Sequence, residues 1–287
     1  MNKGHLLAAL AALQWSTIGI FGKALIARDL APLTVVTLRS ALALVTLILW
    51  MVVTGGRWFT IRRHDLGFFA IFGLLGMAAP CFLFFAAVER IGVAIASVVL
   101  YCYPAIVTLL AAAVFKERVT AWKLVALGLV LSGVTLLSGV CHPASSRVDL
   151  PGVGLALLAA LFAAAFSIFS KAALRTYAPM TVLSCSLGFG TFFLLAAHLA
   201  LLGVPPLAPS STVFGLLVAL AWIPTLGANL AYIRALTYVE ASRASITASL
   251  EPLVATLLAY LVFGELLTPL QGVGMSLVLL GVLVVQR

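Results

Sequence analysis

Two stretches of this sequence, 148 residues apart, are copies of one another. Residues 96–120 read ASVVLYCYPAIVTLLAAAVFKERVT, and residues 244–268 read ASITASLEPLVATLLAYLVFGELLT. Eleven of the twenty-five aligned positions are identical, more than shared hydrophobicity alone gives. The same offset pairs Lys23 with Lys171. The sequence therefore predicts one structural unit that occurs twice.

The composition places this unit in a membrane. Of 287 residues, 64% are hydrophobic and 9% are charged, and the mean hydropathy is +1.23. A soluble domain carries about 25% charged residues, so a soluble fold is excluded. A membrane helix needs about 20 apolar residues, and ten segments of that kind are present. They lie near residues 5–26, 32–53, 66–88, 93–115, 121–140, 152–173, 179–202, 212–237, 242–263 and 268–286.

Duplication of a five-helix unit has a consequence for topology. An odd number of spans makes the second copy enter the membrane from the opposite side. We therefore predict an all-α polytopic membrane protein, with ten transmembrane helices as two inverted repeats around a central cavity. Residues 1–140 form the first repeat, 141–151 an extracytoplasmic linker, and 152–287 the second repeat. Inverted repeats are typical of transporters.

The net charge of +9 is read as topology charge rather than as a nucleic-acid surface. With the N-terminus in the cytoplasm, most cations fall on the cytoplasmic side: Lys3, Arg57, Arg62, Arg63, Lys116, Arg118, Lys123, Lys171, Arg175, Arg243 and Arg287. The other side holds Lys23, Arg28, Arg90 and Arg147. The positive-inside bias predicts two cytoplasmic termini in a bacterial inner membrane.

Matched prolines indicate where a substrate site lies. Pro104 and Pro252 occupy equivalent positions within the fourth and ninth segments, and each removes one backbone hydrogen bond. Such matched interruptions point to a site near the midplane, although ordinary membrane-helix kinks also contain proline. Polar residues share a face with each proline: Ser97, Tyr101 and Thr108 in the fourth segment, and Ser245, Ser249 and Thr256 in the ninth. These two stripes line either a helix interface or a water-filled path.

Glu251 is the one acidic residue near the centre of a span. A carboxylate there is costly unless it is neutral, paired or hydrated. A structural ion pair, contact with a substrate amine, and proton coupling all remain open. Candidate partners are Arg234 and Asn229, and more remotely Lys23 or Arg39.

Other side chains add little chemistry. Trp15, Trp222 and Tyr232 offer apolar or stacking contacts to a substrate, although each is also an ordinary packing residue. The isolated cysteines at 81, 102, 141 and 185 and the lone His142 and His198 indicate neither a metal site nor a cofactor. Glycines in the fifth and tenth segments allow close packing within a half or between protomers, which leaves a homo-oligomer open.

The residues from Pro104 to Gly133, with FKERVT at 115–120, and LEP at 250–252 with FGE at 263–265, resemble the two signature stretches of EamA-type drug/metabolite transporters. The resemblance spans the whole chain, and within the superfamily the sequence is most similar to YddG-like aromatic amino-acid exporters. It implies ten helices in two inverted repeats, cytoplasmic termini, and export of amino acids or other metabolites. It also implies no ATPase subunit, and residues 19–24 lack the spacing of a phosphate-binding loop. One departure is Tyr103, which stands where the second half has Glu251.

The sequence thus predicts an inner-membrane secondary transporter that exports aromatic and other neutral amino acids, or related small metabolites, by alternating access. An exporter of another cargo, such as drugs, sugars or nucleotide-linked metabolites, is the alternative, and an anionic cargo would favour an uncompensated Lys or Arg in the cavity. An intramembrane enzyme is disfavoured because clustered carboxylates, a histidine dyad and a serine nucleophile motif are missing from the sequence. The expected partners are a small-molecule substrate and membrane lipid.

Overall fold

The chain folds into apolar helices joined by short connections. The structure is a computed structural model that describes residues 2–56, 59–138, 149–205, 210–264 and 268–286, and these residues contain no β-strand. Seven helical segments in the described residues are long and apolar enough to cross a membrane, and three apolar helices are shorter. The helices are α1 (Lys3–Trp15), α2 (Thr17–Ile26), α3 (Pro32–Thr54), α4 (Leu66–Phe72), α5 (Ala79–Leu100), α6 (Tyr103–Phe115), α7 (Ala121–Leu137), α8 (Leu150–Ala173), α9 (Pro179–Leu202), α10 (Ser211–Leu220), α11 (Ala228–Ala235), α12 (Ala241–Ala248), α13 (Leu250–Phe263) and α14 (Pro269–Val284).

Several features that the sequence analysis names lie outside the described residues. They are Arg57, Cys141, His142, Arg147, Glu265, Arg287 and most of the predicted linker 141–151.

Two helices widen into π-helical turns at equivalent places. One turn covers Gly73–Ala78 between α4 and α5, and the other covers Ala221–Gly227 between α10 and α11. Their first residues are 148 positions apart (221 − 73 = 148), the offset of the sequence repeat. Pro224 has no backbone N–H to donate, so it disturbs the regular ladder inside the second turn.

The helices also stop just before the matched prolines. α5 ends at Leu100 and α6 begins at Tyr103, while α12 ends at Ala248 and α13 begins at Leu250. The capping residues Tyr101 and Ser249 have nearly identical backbone angles, with φ −70° and −67° and ψ 3° in both. The local structure therefore repeats with the sequence.

Gly92 separates the third and fourth predicted segments. Its φ of 74° and ψ of 160° are non-helical, which breaks the long stretch from Arg63 to Leu100. A positive φ is strained for residues with a Cβ, so glycine suits this turn.

Glycines bring α7 and α14 into close contact. A methyl group added at Gly133 would lie 2.7 Å from the carbonyl oxygen of Gly274, and one added at Gly281 would lie 2.9 Å from that of Ala126. The sequence analysis expects these glycines to pack within a half or between protomers, whereas the contact in the structure joins the last helices of the two halves. Gly128 and Gly272 take no part, since an added methyl group at either would meet nothing within 4 Å.

Candidate functional site

A cavity of about 250 Å³ lies at the centre of the helices. Helices α1, α2, α3, α5, α6, α8, α9, α11 and α13 contribute to its wall, as do both π-helical turns and Tyr101 at the break before α6. Most of the wall is apolar. The polar and aromatic side chains in it include Trp15, Arg39, Tyr101, Tyr103, Phe166, Ser167, Thr191, Thr225, Asn229, Tyr232 and Glu251.

The π-helical turns help to form the cavity. Gly76 and Met77 of the first turn and Pro224 and Thr225 of the second line the wall. The hydroxyl of Thr225 donates to the Leu220 carbonyl at 2.8 Å, which satisfies a backbone group near the irregular turn. Single π turns are frequent at functional sites, because they displace side chains and free backbone groups.

An aromatic cluster forms one side of the cavity. The ring centroids of Trp15 and Tyr232 are 5.2 Å apart, and those of Phe166 and Tyr232 are 6.1 Å apart and nearly parallel. The Tyr232 hydroxyl shares a 2.8 Å hydrogen bond with Ser167, and the Trp15 indole N–H donates to Asn229 Oδ1 at 3.2 Å. These bonds fix the rings, so this side is a rigid surface for an apolar or aromatic group.

Glu251 faces the same cavity. Its carboxyl group interacts with the Tyr101 hydroxyl. In the part of the chain that the structure describes, no cation lies within 4 Å of it. Arg234 is exposed at the end of α11, and Asn229 is bonded to Trp15 instead. The ion pair considered from the sequence is therefore not formed here.

Four of the ten residues predicted along the substrate path come together in the cavity wall: Trp15, Tyr101, Tyr232 and Glu251. The other six do not line this cavity: Ser97, Thr108, Trp222, Ser245, Ser249 and Thr256.

Hydrogen bonds within their own helices satisfy the side chains of most of these six residues. The hydroxyls of Thr108 and Thr256 donate to the carbonyls of Pro104 and Pro252 four residues earlier, both at 2.8 Å. Ser249 donates to the Ser245 carbonyl in the same way. Serine and threonine in membrane helices satisfy their hydroxyls like this without facing water.

Ser245 and Trp222 have other surroundings. The Ser245 hydroxyl donates to the Ser242 carbonyl, while its own carbonyl accepts a 3.4 Å bond from Tyr103 in the cavity wall. Trp222 is 56% exposed on the outer surface, and its indole donates to Thr46. Ser97 is half-buried in the last turn of α5, where its backbone carbonyl accepts the N–H of Tyr101.

The wall also contains polar residues that the sequence did not assign to the path, among them Arg39, Ser167 and Thr191. The sequence contained one signal for Arg39, which is the sole charged residue between Pro32 and Thr54. The sequence names it only as a remote candidate partner of Glu251. Ser167 and Thr191 carried no signal of this kind.

A charged joint links the two halves outside the cavity. The carboxylate of Glu117 accepts the backbone N–H groups of Ala241 and Ser242 at 2.8 and 3.2 Å and the Ser242 hydroxyl at 2.5 Å. A carboxylate at a helix N-terminus satisfies donors that lack helical partners. It thereby ties the α6–α7 connection to the start of α12.

Lys123 is the cation of this joint. Its side chain is 2% exposed, and its Nζ lies 3.0 Å from Glu240 and 3.8 Å from Glu117. Burial raises the pKa of Glu240, but hydrogen bonds and charge from Lys123 and Arg243 outweigh that effect and leave the pKa below its usual value.

Comparisons with known proteins agree with this fold. A model of the EamA-like transporter family matches residues 2–139 and 150–287. An uncharacterized transporter of Archaeoglobus fulgidus is 29% identical over 91% of this chain and 90% of its own length. The uncharacterized transporter YwfM of Bacillus subtilis is 33% identical over 74% of this chain and 72% of its own.

A solved crystal structure has the same fold. It covers 98% of this chain and 95% of its own chain, with a TM-score of 0.83 and 20% identity. Since the family model matches nearly the whole sequence in two copies, the chain belongs to the EamA-like transporter family, a family of multi-pass membrane transporters.

Proposed function

We propose that this chain is a secondary transporter of the bacterial inner membrane that exports aromatic or other neutral amino acids, or related small metabolites, by alternating access. The observation that carries the proposal is the central cavity, in which a rigid aromatic side and separated charged groups face one space. Sites for drug-sized ligands measure about 300–1,000 Å³. A cavity of about 250 Å³ therefore favours a cargo as small as an amino acid over larger drugs or nucleotide-linked metabolites.

Alternating access requires ten spans in two inverted halves of five, here residues 1–140 and 152–287. Local features that recur at an offset of 148 support this arrangement. Besides the π-helical turns and the breaks before the prolines, α6 and α13 both end in a left-handed residue, Lys116 and Gly264. Two oppositely oriented copies can exchange conformations, which opens the shared cavity to one side and then to the other.

The orientation follows from charge. The cations on the expected cytoplasmic side outnumber those on the other side, so both termini are cytoplasmic. The joint of Glu117 and Lys123 then lies on the cytoplasmic side, where the connection after α6 meets the start of α12. When the two halves rock so that the cavity opens to the cytoplasm, the contacts of this joint break.

Glu251 is the acidic group of the proposed site. It lines the cavity and has a neutral partner, Tyr101, in place of a cation. A carboxyl group in this setting suits contact with a substrate amine or uptake of a proton during the transport cycle. Alternate binding of a substrate amine and of a proton by this carboxyl group would link cargo binding to the conformational change.

Flux through proteoliposomes tests the proposal. The purified chain is reconstituted, and uptake of labelled phenylalanine, threonine and nucleotide precursors is measured against empty vesicles. We expect specific flux of an amino acid. Absence of specific flux for all three classes would overturn the proposal.

Two tryptophan variants provide a matched comparison. Trp15→Ala removes a ring from the cavity wall, whereas Trp222→Ala removes a ring from the outer surface. We expect the first to reduce amino-acid flux and the second to leave it near the wild-type value. Equal loss in both variants would contradict the assignment of the path to this cavity.

A further inference from the structure

Arg39 is a charged side chain in the middle of an apolar helix. It is the sole ionisable residue of α3, and it is one of the residues that line the central cavity. At about 1.5 Å of rise per residue, it lies roughly 10 Å from the start of the helix at Pro32. A cation at that depth is retained only when a partner, water or a function compensates for its desolvation.

Within the described ranges, this cation has no anionic partner. Among the described residues, no carboxylate lies within 4 Å of Arg39, and its Nε is buried without a hydrogen-bond partner. Its side chain contacts the thiol of Cys81, which also donates to the Met77 carbonyl. A thiol is a weak acceptor and does not balance a full charge.

Thr191 presents a second unsatisfied group to the same cavity. Its side chain is 5% exposed, and its Oγ1 is buried without a partner, unlike the threonines that bond to their own helix. Arg39 lies on α3 and Thr191 on α9, two helices that pack against each other. A buried hydroxyl and a buried Nε–H left unpaired are unfavourable unless a ligand completes them.

We infer that Arg39 and Thr191 form the carboxylate-binding pole of the cavity. This inference rests on the proposed function, since it names the group of the cargo that the cavity recognises. A planar guanidinium can donate two parallel N–H bonds to a carboxylate, and the threonine hydroxyl can donate a third bond.

A carboxylate fits this pole better than a phosphate does. One guanidinium balances the single charge of a carboxylate, whereas a phosphate dianion would leave charge uncompensated in a cavity that also holds Glu251. The bound carboxylate neutralises Arg39 and leaves the remainder of the cargo facing the aromatic side at Trp15 and Tyr232.

Matched acid and amide probes test this inference. In the reconstituted full-length chain, unlabelled phenylalanine, phenylalaninamide, 3-phenylpropionate and phenethylamine compete with labelled phenylalanine. We expect the two carboxylates to compete at least about tenfold better than the two compounds without one, as loss of one charge-assisted bidentate pair implies. Inorganic phosphate is included as an anion control and is expected not to compete.

Variants then locate the effect. Arg39→Gln is expected to abolish the preference for carboxylates, and Thr191→Val to reduce it several-fold while the fold is kept. Arg39→Lys keeps the charge but loses the planar fork, and should retain part of the preference. Arg28→Gln is the matched control, because this arginine is exposed in the turn after α2 and donates to the Ala24 carbonyl, away from the cavity wall.

The outcomes separate this inference from the proposed function. Flux with equal competition by acids and amides, or an unchanged preference in Arg39→Gln and Thr191→Val, overturns the inference and leaves transport standing. If no flux is found, thermal stabilisation of the detergent-solubilised chain by the same four probes decides the inference. Stabilisation by carboxylates that Arg39→Gln abolishes supports it, and no difference between acids and amides overturns it.

Discussion

Replacing Lys123 with methionine removes the cation of the joint between the halves. Two carboxylates then lose their neighbouring positive charge: Glu117, which lies 3.8 Å from the Lys123 Nζ, and Glu240, which lies 3.0 Å from it. Methionine keeps most of the length and apolar volume of the lysine stem, so the change isolates the charge. The joint is buried at Lys123 and Glu117, which are 2% and 7% exposed, and partly open at Glu240, which is 40% exposed.

The size of the effect follows from this burial. Removing one partner of a buried ion pair costs about 3–5 kcal/mol, because a charge is left uncompensated. Solvent screens the charge of the partly exposed Glu240, and Glu117 keeps its hydrogen bonds from the backbone of α12. The loss of Lys123 should therefore cost about 3 kcal/mol, the lower end of that range. At about 2–4 °C per kcal/mol for a chain of this size, the Tm should fall by about 6–12 °C.

Thermal unfolding of the detergent-solubilised chain, followed by tryptophan fluorescence, measures this shift. Arg90→Met is the matched control, since Arg90 and its partner Asp149 are 53% and 32% exposed and 3.4 Å apart. An exposed pair of this kind contributes about 0–1 kcal/mol. Adding Glu117→Gln to the Lys123→Met variant should restore part of the loss, because the pair is coupled. A Tm within 2 °C of wild type for Lys123→Met, or fully additive losses in the double variant, would refute this reasoning.

Three further predictions concern other parts of the molecule. If Glu251 carries protons, phenylalanine flux should respond to a pH gradient in the wild type and lose that response in Glu251→Gln; equal flux in all four conditions would remove proton coupling. Gly133→Ala should reduce the free energy of unfolding by about 1–3 kcal/mol, and so lower the Tm, because the added methyl group would overlap Gly274. Gly128→Ala should leave the Tm unchanged, and equal effects of the two variants would contradict the α7–α14 contact. Because the pKa of Glu240 is lowered in the folded chain, its stabilising effect is present above its unfolded pKa of about 4.3 and is lost as the pH falls through the folded pKa. The Tm difference between wild type and Glu240→Gln should therefore shrink below about pH 4, and a constant difference would contradict this.

The helices themselves could be predicted from the sequence because hydrophobic length and proline positions determine them locally. The segments 32–53 and 179–202 agree with α3 and α9 to within one residue. The helix breaks lie immediately before the repeated prolines, where the loss of a backbone N–H acts on the local chain. The π-helical turns were not predicted, since a π turn differs from an α turn by one residue and leaves no clear pattern of hydrophobicity.

The cavity wall was predicted less well because side-chain hydroxyls have two ways to be satisfied. Spacing placed Thr108 and Thr256 on the same faces as the prolines, but each bonds to its own helix instead of facing water. Thr191 has the same hydroxyl and is left unpaired in the cavity. Only the packing of neighbouring helices distinguishes these cases, and packing depends on residues distant in the sequence.

Labelling from the two sides of the membrane tests the central claim that the chain consists of two inverted halves. Arg28 and Thr176 are equivalent positions, separated by the repeat offset of 148, and both are exposed in short connections. Each is replaced by cysteine in a background without native cysteines, and intact cells are treated with a membrane-impermeant maleimide. Inverted halves predict that position 28 is labelled from outside and position 176 only after the membrane is opened. Labelling of both positions from the same side would contradict the account.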